Sequence, residues 1–291
     1  MNDKNNIIWM DVELIEDVDD YLTLIYALEQ NKNVGVISIH NPSINELKLL
    51  NYALSTFKSD ARIVVAGDVS VYDALKDIHS SLLANIESVE MPSFTFIDEF
   101  LKSEKTDCTV FFCGGSLYTL NQVLKSDLSK NWIAYIQGGY AGASVVGADN
   151  VLKKFKGREE VPTWNLNLDI ESSDSVMDSD NVTCHFISKN VCHNAWVNLS
   201  DINSVESEFK TTLLNYFNRG KWNRKCMHDL LAFMSIYHDD LLSFKPVSLS
   251  HTLDERPKWK STLDANSNKC ISVSMNNAVF TEKINSYAPV K

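Results

Sequence analysis

Short apolar runs alternate with segments of helical periodicity along most of this 291-residue chain, and this alternation constrains its fold more than any other feature. Runs that predict strands lie at residues 7–13, 34–39, 62–67, 108–112, 132–136 and 183–187. Helical patterns lie at residues 22–28, 44–57, 94–102, 117–124, 171–177, 205–217 and 227–237. Strands separated by helices of this length pair in parallel through right-handed crossovers. The sequence therefore predicts an α/β fold with an open, mostly parallel sheet that is flanked by helices.

Length and apolar content bound the domain organisation. A chain of 291 residues with 44 % apolar residues can bury a sizeable core, and it lies near the upper size of one domain. The sequence has no repeats and no low-complexity linkers, so we expect a single domain over residues 1–291. Residues 140–162 lack periodicity and contain several glycines, which predicts a long loop or flap over the strand ends.

The charge balance and the cysteines argue against several classes of protein. With 27 basic and 38 acidic residues the net charge is −11, which disfavours binding to the phosphate backbone of nucleic acid. No apolar run reaches the roughly 18 residues of a membrane span, and the N-terminal residues show no signal-peptide pattern. Six cysteines without C-x-x-C spacing are typical of reduced core thiols. We therefore expect a cytoplasmic protein with no membrane partner, no disulfide framework and no zinc site.

Four carboxylates gather where the first strand meets the first helix. Asp11 and Glu13 end the strand, and Asp19 and Asp20 precede the helical run. Ligands of open α/β sheets bind just beyond the carboxyl ends of the strands, so we expect these side chains to converge at a site. Oxygen donors in this number suit Ca²⁺ or Mg²⁺, because carboxylates repel one another unless a cation lies among them. The alternative is an acidic helix start, which explains one or two of the acids but not four.

Three further places combine the end of an element with polar groups. Cys113 ends a strand before two glycines, where its carbonyl oxygen can ligate a metal, although such a pair is also ordinary in a turn. Asn165 precedes a helix, where it can hold a hydroxylated ligand or cap that helix. His228 and Asp229 open an apolar helical run, either as a catalytic pair or as a cap.

Taken in order, these motifs resemble those of the inosine–uridine nucleoside hydrolase family. That family opens with Asp-x-Asp and then Asp-Asp at its first helix, which Asp11-Val12-Glu13 and Asp19-Asp20 match with one exchange. The later motifs follow in the same order, namely Asn41 after the second strand, Cys113 before a Gly-Gly turn, Gly138-Gly139, residues 163–171 and His228-Asp229. Single motifs are weak, but six in order between about residues 5 and 240 cover most of the chain.

The resemblance implies a Ca²⁺-dependent N-ribohydrolase that acts on a nucleoside and assembles as a homodimer or homotetramer. It implies that Ca²⁺ is held by Glu13, Asp20, Asp229 and the Cys113 carbonyl, with Asp11 in the same acidic set. It further implies that Glu13 also takes a proton from the attacking water, that Asp19 and Asn165 hold ribose hydroxyls, that Asn41 supports the site, and that His228 lies near the leaving base.

Three departures from the family pattern point to an altered site. Glu13 stands where the family has Asp, and Glu16 and Asp17 look inserted in the loop that follows, so a longer side chain and a longer loop are expected to compensate. Thr163 stands where the family has a ribose-binding Glu. Arg158 falls nearest a missing Asn, and an added cation suggests a phosphorylated or otherwise modified nucleoside. The alternative is that Arg158 belongs to a solvated flap.

Two other classes stay open at this point. A catalytically altered nucleoside- or nucleotide-binding protein would keep the fold and the metal but lose turnover, as the changes at Glu13 and Thr163 allow. A haloacid-dehalogenase-like phosphatase would use Asp11 as a nucleophile, but it needs a second Asp at position 13. Release of a free base from a nucleoside separates the first class from a hydrolase, and release of inorganic phosphate identifies the second.

Overall fold

The computed structural model describes residues 6–14, 17–71, 86–104, 106–202 and 207–287. Its described strands are β1 (Ile8–Val12), β2 (Val34–His40), β3 (Arg62–Ala66), β4 (Thr95–Phe96), β5 (Val110–Cys113), β6 (Trp132–Gln137), β7 (Val182–Ile187), β8 (Trp196–Asn198), β9 (Arg224–Cys226), β10 (Leu242–His251), β11 (Trp259–Leu263) and β12 (Lys269–Met275). Ten of them form one sheet in the order β11-β10-β12-β7-β6-β5-β1-β2-β3-β4, and β8 and β9 form an antiparallel ribbon. The predicted α/β architecture with an open, mostly parallel sheet is confirmed.

The described helices connect these strands and cover both faces of the sheet. They are α1 (Val18–Glu29), α2 (Ile44–Phe57), α3 (Ile97–Ser103), α4 (Tyr118–Ser126), α5 (Ala143–Val146), α6 (Trp164–Leu168), α7 (Ile170–Asp178), α8 (Lys189–Cys192), α9 (Glu208–Gly220), α10 (His228–Met234) and α11 (Asn277–Asn285). Three short 3₁₀ turns lie at Ala148–Asn150, Lys153–Phe155 and Leu199–Asp201. In the described part of the chain, no helix is both long and apolar enough to span a membrane.

The strand order reverses at β1. The chain builds outward from β1 through β2, β3 and β4, and then returns to add β5 on the other side of β1. Both neighbours of β1 run parallel to it, with Asp11 opposite Ser38 of β2 and Cys113 of β5. Connections to either side diverge from such a switch point and leave a crevice at the carboxyl ends of the strands. The carboxylates predicted from the sequence lie at this crevice.

The core explains why β1 is apolar except at Asp11. All five residues of β1 are buried, as expected for a parallel strand covered by helices on both faces. Trp9 packs on one face, where its ring lies 5.4 Å from that of Phe100 and 5.8 Å from that of Phe111. On the other face Phe112 contacts Phe233 of α10, with ring centroids 5.4 Å apart. The sheet is therefore a rigid platform whose strand ends hold the site.

Several elements differ from the sequence prediction. The helix predicted at residues 94–102 begins only at Ile97, because Thr95 and Phe96 pair with β3. The flap predicted at residues 140–162 contains α5 and two of the 3₁₀ turns. The antiparallel strands β10–β12 were not predicted, since Pro246 interrupts the apolar pattern of β10. The predicted insertion at Glu16 and the first two residues of the helix predicted at 205–217 lie outside the described residues.

Candidate active site

A cavity of about 300 Å³ opens at the carboxyl ends of the central strands. Its lining combines carboxylates, amides, an indole, two histidines and a lysine. The lining residues are Glu13, Asp17, Asp20, Gly114, Gln137, Gly138, Thr163, Trp164, Asn165, Lys189, His193, His228 and Asp229. Six of the residues predicted for the site are among them, so most of the predicted site converges.

The loop between β1 and α1 sets the carboxylates in place. Asp17 caps α1, because its Oδ1 accepts the backbone N–H of Asp19 at 3.1 Å. The backbone N–H of Glu13 donates to Asp20 Oδ1 at 3.1 Å, which ties the end of β1 to the first turn of the helix. Asp17, which the sequence prediction treats as part of an insertion, is thus the residue that starts α1 at the right place.

Gly114 permits a close approach to Asp20. A Cβ atom at Gly114 would lie 3.1 Å from Asp20 Oδ1 and 3.3 Å from the backbone oxygen of Asp11. A larger residue would therefore push the carboxylate away from the turn after β5. The predicted Gly-Gly turn has a clear steric reason at its first glycine.

The carboxylates of Asp20 and Asp229 are buried close to one another. Burial raises the pKa of both well above the usual range, and neighbouring carboxylates raise it further: Asp19 acts on both residues, and Asp20 also acts on Asp229. The Glu13 carboxylate also raises the pKa of Asp20. Within the described part of the chain, Oδ1 of Asp229 is buried without a hydrogen-bond partner. This is the electrostatic setting in which a cation is favoured.

A buried lysine compensates part of the acidic charge. Lys225 Nζ lies 2.7 Å from Asp17 Oδ2. Burial alone would lower the pKa of Lys225, but the carboxylates of Asp19 and Asp17 raise it above its usual range. Asp19 is itself buried, which raises its pKa to about 6. Its Oδ2 accepts the backbone N–H of Asp229 at 2.9 Å, so Asp19 joins the starts of α1 and α10.

Amide groups also line the cavity. Asn165 Nδ2 donates to the backbone oxygens of Gly114 at 2.7 Å and Gln137 at 3.0 Å, and to Gln137 Oε1 at 2.9 Å. The Oγ1 of Thr163 is buried beside it without a partner in the described structure. Trp164 lies at the rim of the cavity with 56 % of its surface exposed. An unsatisfied hydroxyl and an exposed indole at one cavity indicate a ligand with polar groups and an aromatic ring.

Two histidines line the cavity as well. The rings of His193 and His228 lie 4.7 Å apart in an edge-to-face arrangement. Burial lowers the pKa of His228 to about 4, and burial together with the His228 ring lowers the pKa of His193 to about 3. Both imidazoles are therefore neutral near pH 7. Among the described residues, His228 Nε2 is buried and without a partner.

Five residues of the predicted set do not line the cavity. Asp11 is buried, accepts a hydrogen bond from Ser38 Oγ, and has a pKa that burial raises to about 7. Asp19 accepts the backbone N–H of Asp229, as described above. The Cys113 thiol donates into its own turn, to the backbone oxygens of Gly115 and Ser116. None of these three side chains lines the cavity itself.

Asn41 and Arg158 lie farther out. Asn41 is exposed with a left-handed backbone (φ 48°), and its Oδ1 accepts the backbone N–H of Asp68 at 2.9 Å. It holds the turn after β3, where Gly67 leaves room for the amide: a Cβ there would lie 2.0 Å from Asn41 Oδ1. Arg158 is exposed in the 140–162 segment. Its position gives no support to a contact with a substrate in the cavity.

Sequence reasoning missed five lining side chains. Asp17 was predicted only as an insertion, and Trp164 only as a neighbour of Asn165. Gln137 is the last residue of β6, and Lys189 and His193 follow β7, so each lies at or after the carboxyl end of a parallel strand. The rule that sites form at the carboxyl ends of strands would have identified these three, had it been applied to β6 and β7 as well as to β1.

We compared the sequence and the fold with those of known proteins. No protein-family model matches the sequence, and no curated protein matches it by sequence. An inosine–guanosine nucleoside hydrolase superposes with a TM-score of 0.69 at 13 % identity, over 96 % of this chain and 97 % of the other. A plant nucleoside hydrolase gives 0.66 at 14 % identity over 97 % and 99 %. A purine-preferring ribonucleoside hydrolase from Gardnerella vaginalis gives 0.65 at 14 % identity over 96 % and 97 %. The chain has the nucleoside hydrolase fold.

Proposed function

We propose that this protein hydrolyses the N-glycosidic bond of a ribonucleoside, or of a phosphorylated or otherwise modified nucleoside, and releases the free base and the sugar. The observation that carries the proposal is the cavity at the strand switch point, where buried carboxylates face amide, hydroxyl and imidazole groups. Three lining atoms are buried without a partner in the described structure: Thr163 Oγ1, His228 Nε2 and Asp229 Oδ1. Buried polar atoms are nearly always satisfied, so a bound ligand is their expected partner.

The carboxylates fit one Ca²⁺ ion. Asp20, Asp229 and Glu13, which line the cavity, would hold it together with the Cys113 carbonyl and Asp11. The fit rests on the unpartnered Asp229 Oδ1 and on the burial that raises the pKa values of Asp20 and Asp229. When bound, the ion supplies positive charge that lowers the pKa of a water and orients the sugar hydroxyls.

The chain's own groups then divide the chemistry between them. The Glu13 carboxylate takes a proton from a water that attacks the anomeric carbon, while the bond from that carbon to the base nitrogen breaks. The surrounding carboxylates stabilise the positive charge that develops on the sugar. The base leaves with the bonding electron pair, and the neutral imidazole of His228 donates a hydrogen bond to it. Asn165 and Thr163 bind sugar hydroxyls, and Trp164 offers its exposed face to the base.

Incubation of the calcium-loaded protein with a panel of nucleosides, nucleotides and nucleotide cofactors tests the proposal. Mass spectrometry of the products should show a free base together with the free sugar or sugar phosphate. Thermal stabilisation by nucleosides without base release would instead identify a binding protein of this fold. Inorganic phosphate with the base still attached would identify a phosphatase. The burial of Asp11 and its hydrogen bond from Ser38 argue against that outcome, because a nucleophile must reach the substrate.

Two further parts of the proposal concern the protein in the cell. Six cysteines are unpaired, which supports a reducing, cytoplasmic location. Assembly as a homodimer or homotetramer also stays a prediction, and sedimentation of the pure protein measures it directly.

A further inference from the structure

A second cluster of ligand-type side chains adjoins the carboxylates but has different chemistry. Cys192 ends α8, His193 follows it, and His228 begins α10. One ligand atom of each of these three residues lies within 4.8 Å of the other two. No zinc site was expected from the sequence, because the thiol and the second histidine are 36 positions apart and no C-x-x-C or H-x₃₋₅-H spacing marks them; the fold brings them together. Its donors are one sulfur and two nitrogens, which suit a softer metal than Ca²⁺.

An independent observation points to a ligand at this cluster. His228 Nε2 is buried and has no hydrogen-bond partner within the described residues. The Cys192 thiol is fully buried and lies 3.6 Å from Gln137 Nε2. His193 and His228 both line the cavity, whereas Cys192 lies behind them. Three protein ligands on one side and a cavity on the other make an arrangement in which a tetrahedral metal keeps one open position.

We propose that this cluster is a Zn²⁺ site, separate from the carboxylates, with Cys192, His193 and His228 as ligands and the fourth position toward the cavity. Binding forms a Zn–S bond to Cys192 and releases the thiol proton to solvent. Excess Ca²⁺ does not compete, since it prefers oxygen donors.

The site has a regulatory consequence, and this part alone rests on the proposed function. A neutral imidazole has one N–H donor and one lone pair. A nitrogen of His228 that is bonded to Zn²⁺ cannot donate a hydrogen bond to the leaving base. The metal also fills the part of the cavity beside the histidines. Zn²⁺ is therefore an inhibitor of base release, and removing it restores turnover.

Cobalt spectroscopy tests the site without any activity. The metal-stripped protein is saturated with Ca²⁺ and titrated with Co²⁺, which gives a thiolate-to-cobalt charge-transfer band when sulfur ligates it. We expect one equivalent of Co²⁺ to bind and one equivalent of Zn²⁺ to displace it. Cys192→Ser should abolish the charge-transfer band, and His193→Gln should weaken Co²⁺ binding at least tenfold. Cys270→Ser, which alters a half-buried thiol outside the cluster, should change neither.

The outcomes separate the site from the proposed function. A wild-type protein without the band, or a band that survives in Cys192→Ser, overturns the site. If one equivalent of metal binds but base release continues unchanged at saturating Zn²⁺, the regulatory part is wrong. If the protein releases no base at all, the proposed function fails while the absorption data still decide on the metal site. Circular dichroism confirms that Cys192→Ser is folded, and His193→Gln provides a second ligand change at a less buried position.

Discussion

At the scale of single residues, Glu13 takes part in more of the proposed chemistry of the cavity than any other side chain we discuss. It lines the cavity, its backbone N–H holds Asp20, and its carboxylate raises the pKa values of both Asp11 and Asp20. A carboxylate this close to two buried acids is well placed to bind a shared cation and to accept a proton from water. Its side chain is one methylene longer than the Asp of the family pattern, and the loop after it leads to Asp17, which caps α1. We expect the longer side chain and the longer loop to compensate each other.

Glu13→Gln tests the base directly. The change keeps the shape of the side chain and removes its charge and basicity, so kcat for base release should fall by about 10²–10⁴-fold. Glu13→Asp should also lose activity, because the loop is set for the longer side chain. The exposed Glu171→Gln is the matched control and should retain the wild-type rate. Near-full turnover in Glu13→Gln would mean that another group is the base.

The cation inside the cavity is Lys189, whereas the sequence pointed to Arg158. Lys189 Nζ donates to the backbone oxygen of Pro162 at 3.0 Å. Burial lowers its pKa, and the nearby charges of Lys154 and Arg256 lower it further. An anionic ligand at Lys189 would relieve the repulsion among these three like charges, so we propose that Lys189 rather than Arg158 recognises a phosphorylated substrate.

Replacement of each cation by Ala, assayed with uridine and uridine monophosphate, tests this assignment. Lys189→Ala should lower kcat/KM for the monophosphate by about tenfold relative to the nucleoside, the scale of one charge-assisted hydrogen bond. Arg158→Ala should leave the ratio unchanged. Loss of the preference in Arg158→Ala alone would favour the sequence interpretation, and equal rates on both substrates in every variant would exclude a phosphate subsite.

At the scale of secondary-structure elements, the starts of α1 and α10 and strand β9 form one electrostatic unit. Asp17 and Asp19 belong to α1 and its cap, the N–H of Asp229 begins α10, and Lys225 extends from β9. The Lys225 side chain is 10 % exposed and that of Asp17 is 42 % exposed. The ribbon β8–β9 thus positions the buried ammonium group of Lys225 beside the acidic residues.

Lys225→Met should destabilise the fold, because it leaves the buried Asp19 carboxylate without its opposite charge. The free energy of unfolding should fall by about 1–3 kcal/mol, below the 3–5 kcal/mol of a fully buried pair since Asp17 is partly solvated. Denaturant unfolding at neutral pH measures it. The exposed Lys260→Met is the control and should stay within about 0.5 kcal/mol of the wild type. A Lys225→Met variant as stable as this control would show that the interaction of Lys225 with Asp17 and Asp19 makes no net contribution to stability.

The sequence predicts an element correctly where interactions between residues close in the chain determine its bounds. The helix predicted at residues 44–57 has those bounds, because Ser43 and Glu46 form a capping box at its start. The acids of β1 and α1 were predicted to converge, because a strand end and a helix start are adjacent by geometry. Lys225, Gln137 and His193 could not be placed in this way. Their contacts with the site join segments far apart in the chain, which only the strand order brings together.

At the scale of the whole molecule, the sheet holds the acidic side chains close together, and their mutual repulsion lowers the stability of the folded state. Reversal of strand order at β1 leaves the crevice, and the helices on both faces keep its carboxylates out of water. Like charges that are buried together destabilise the folded state, and a cation bound only to that state stabilises it. Calcium and the charge of Asp229 should therefore act on stability with opposite signs.

Thermal unfolding of the wild type and of Asp229→Asn, with EDTA and with excess Ca²⁺, measures these two opposite effects on stability. The side-chain change leaves the backbone N–H of Asp229 on Asp19, so the start of α10 is kept. In EDTA the variant should melt at or above the wild-type temperature, because one buried charge is gone. With Ca²⁺ at about 100 times its Kd the wild type should gain about 2.7 kcal/mol, and the variant should gain far less. The exposed Asp240→Asn should behave as the wild type in both conditions. If Ca²⁺ does not change the melting temperature of the wild type, or if it stabilises Asp229→Asn equally, the cation does not bind at these carboxylates.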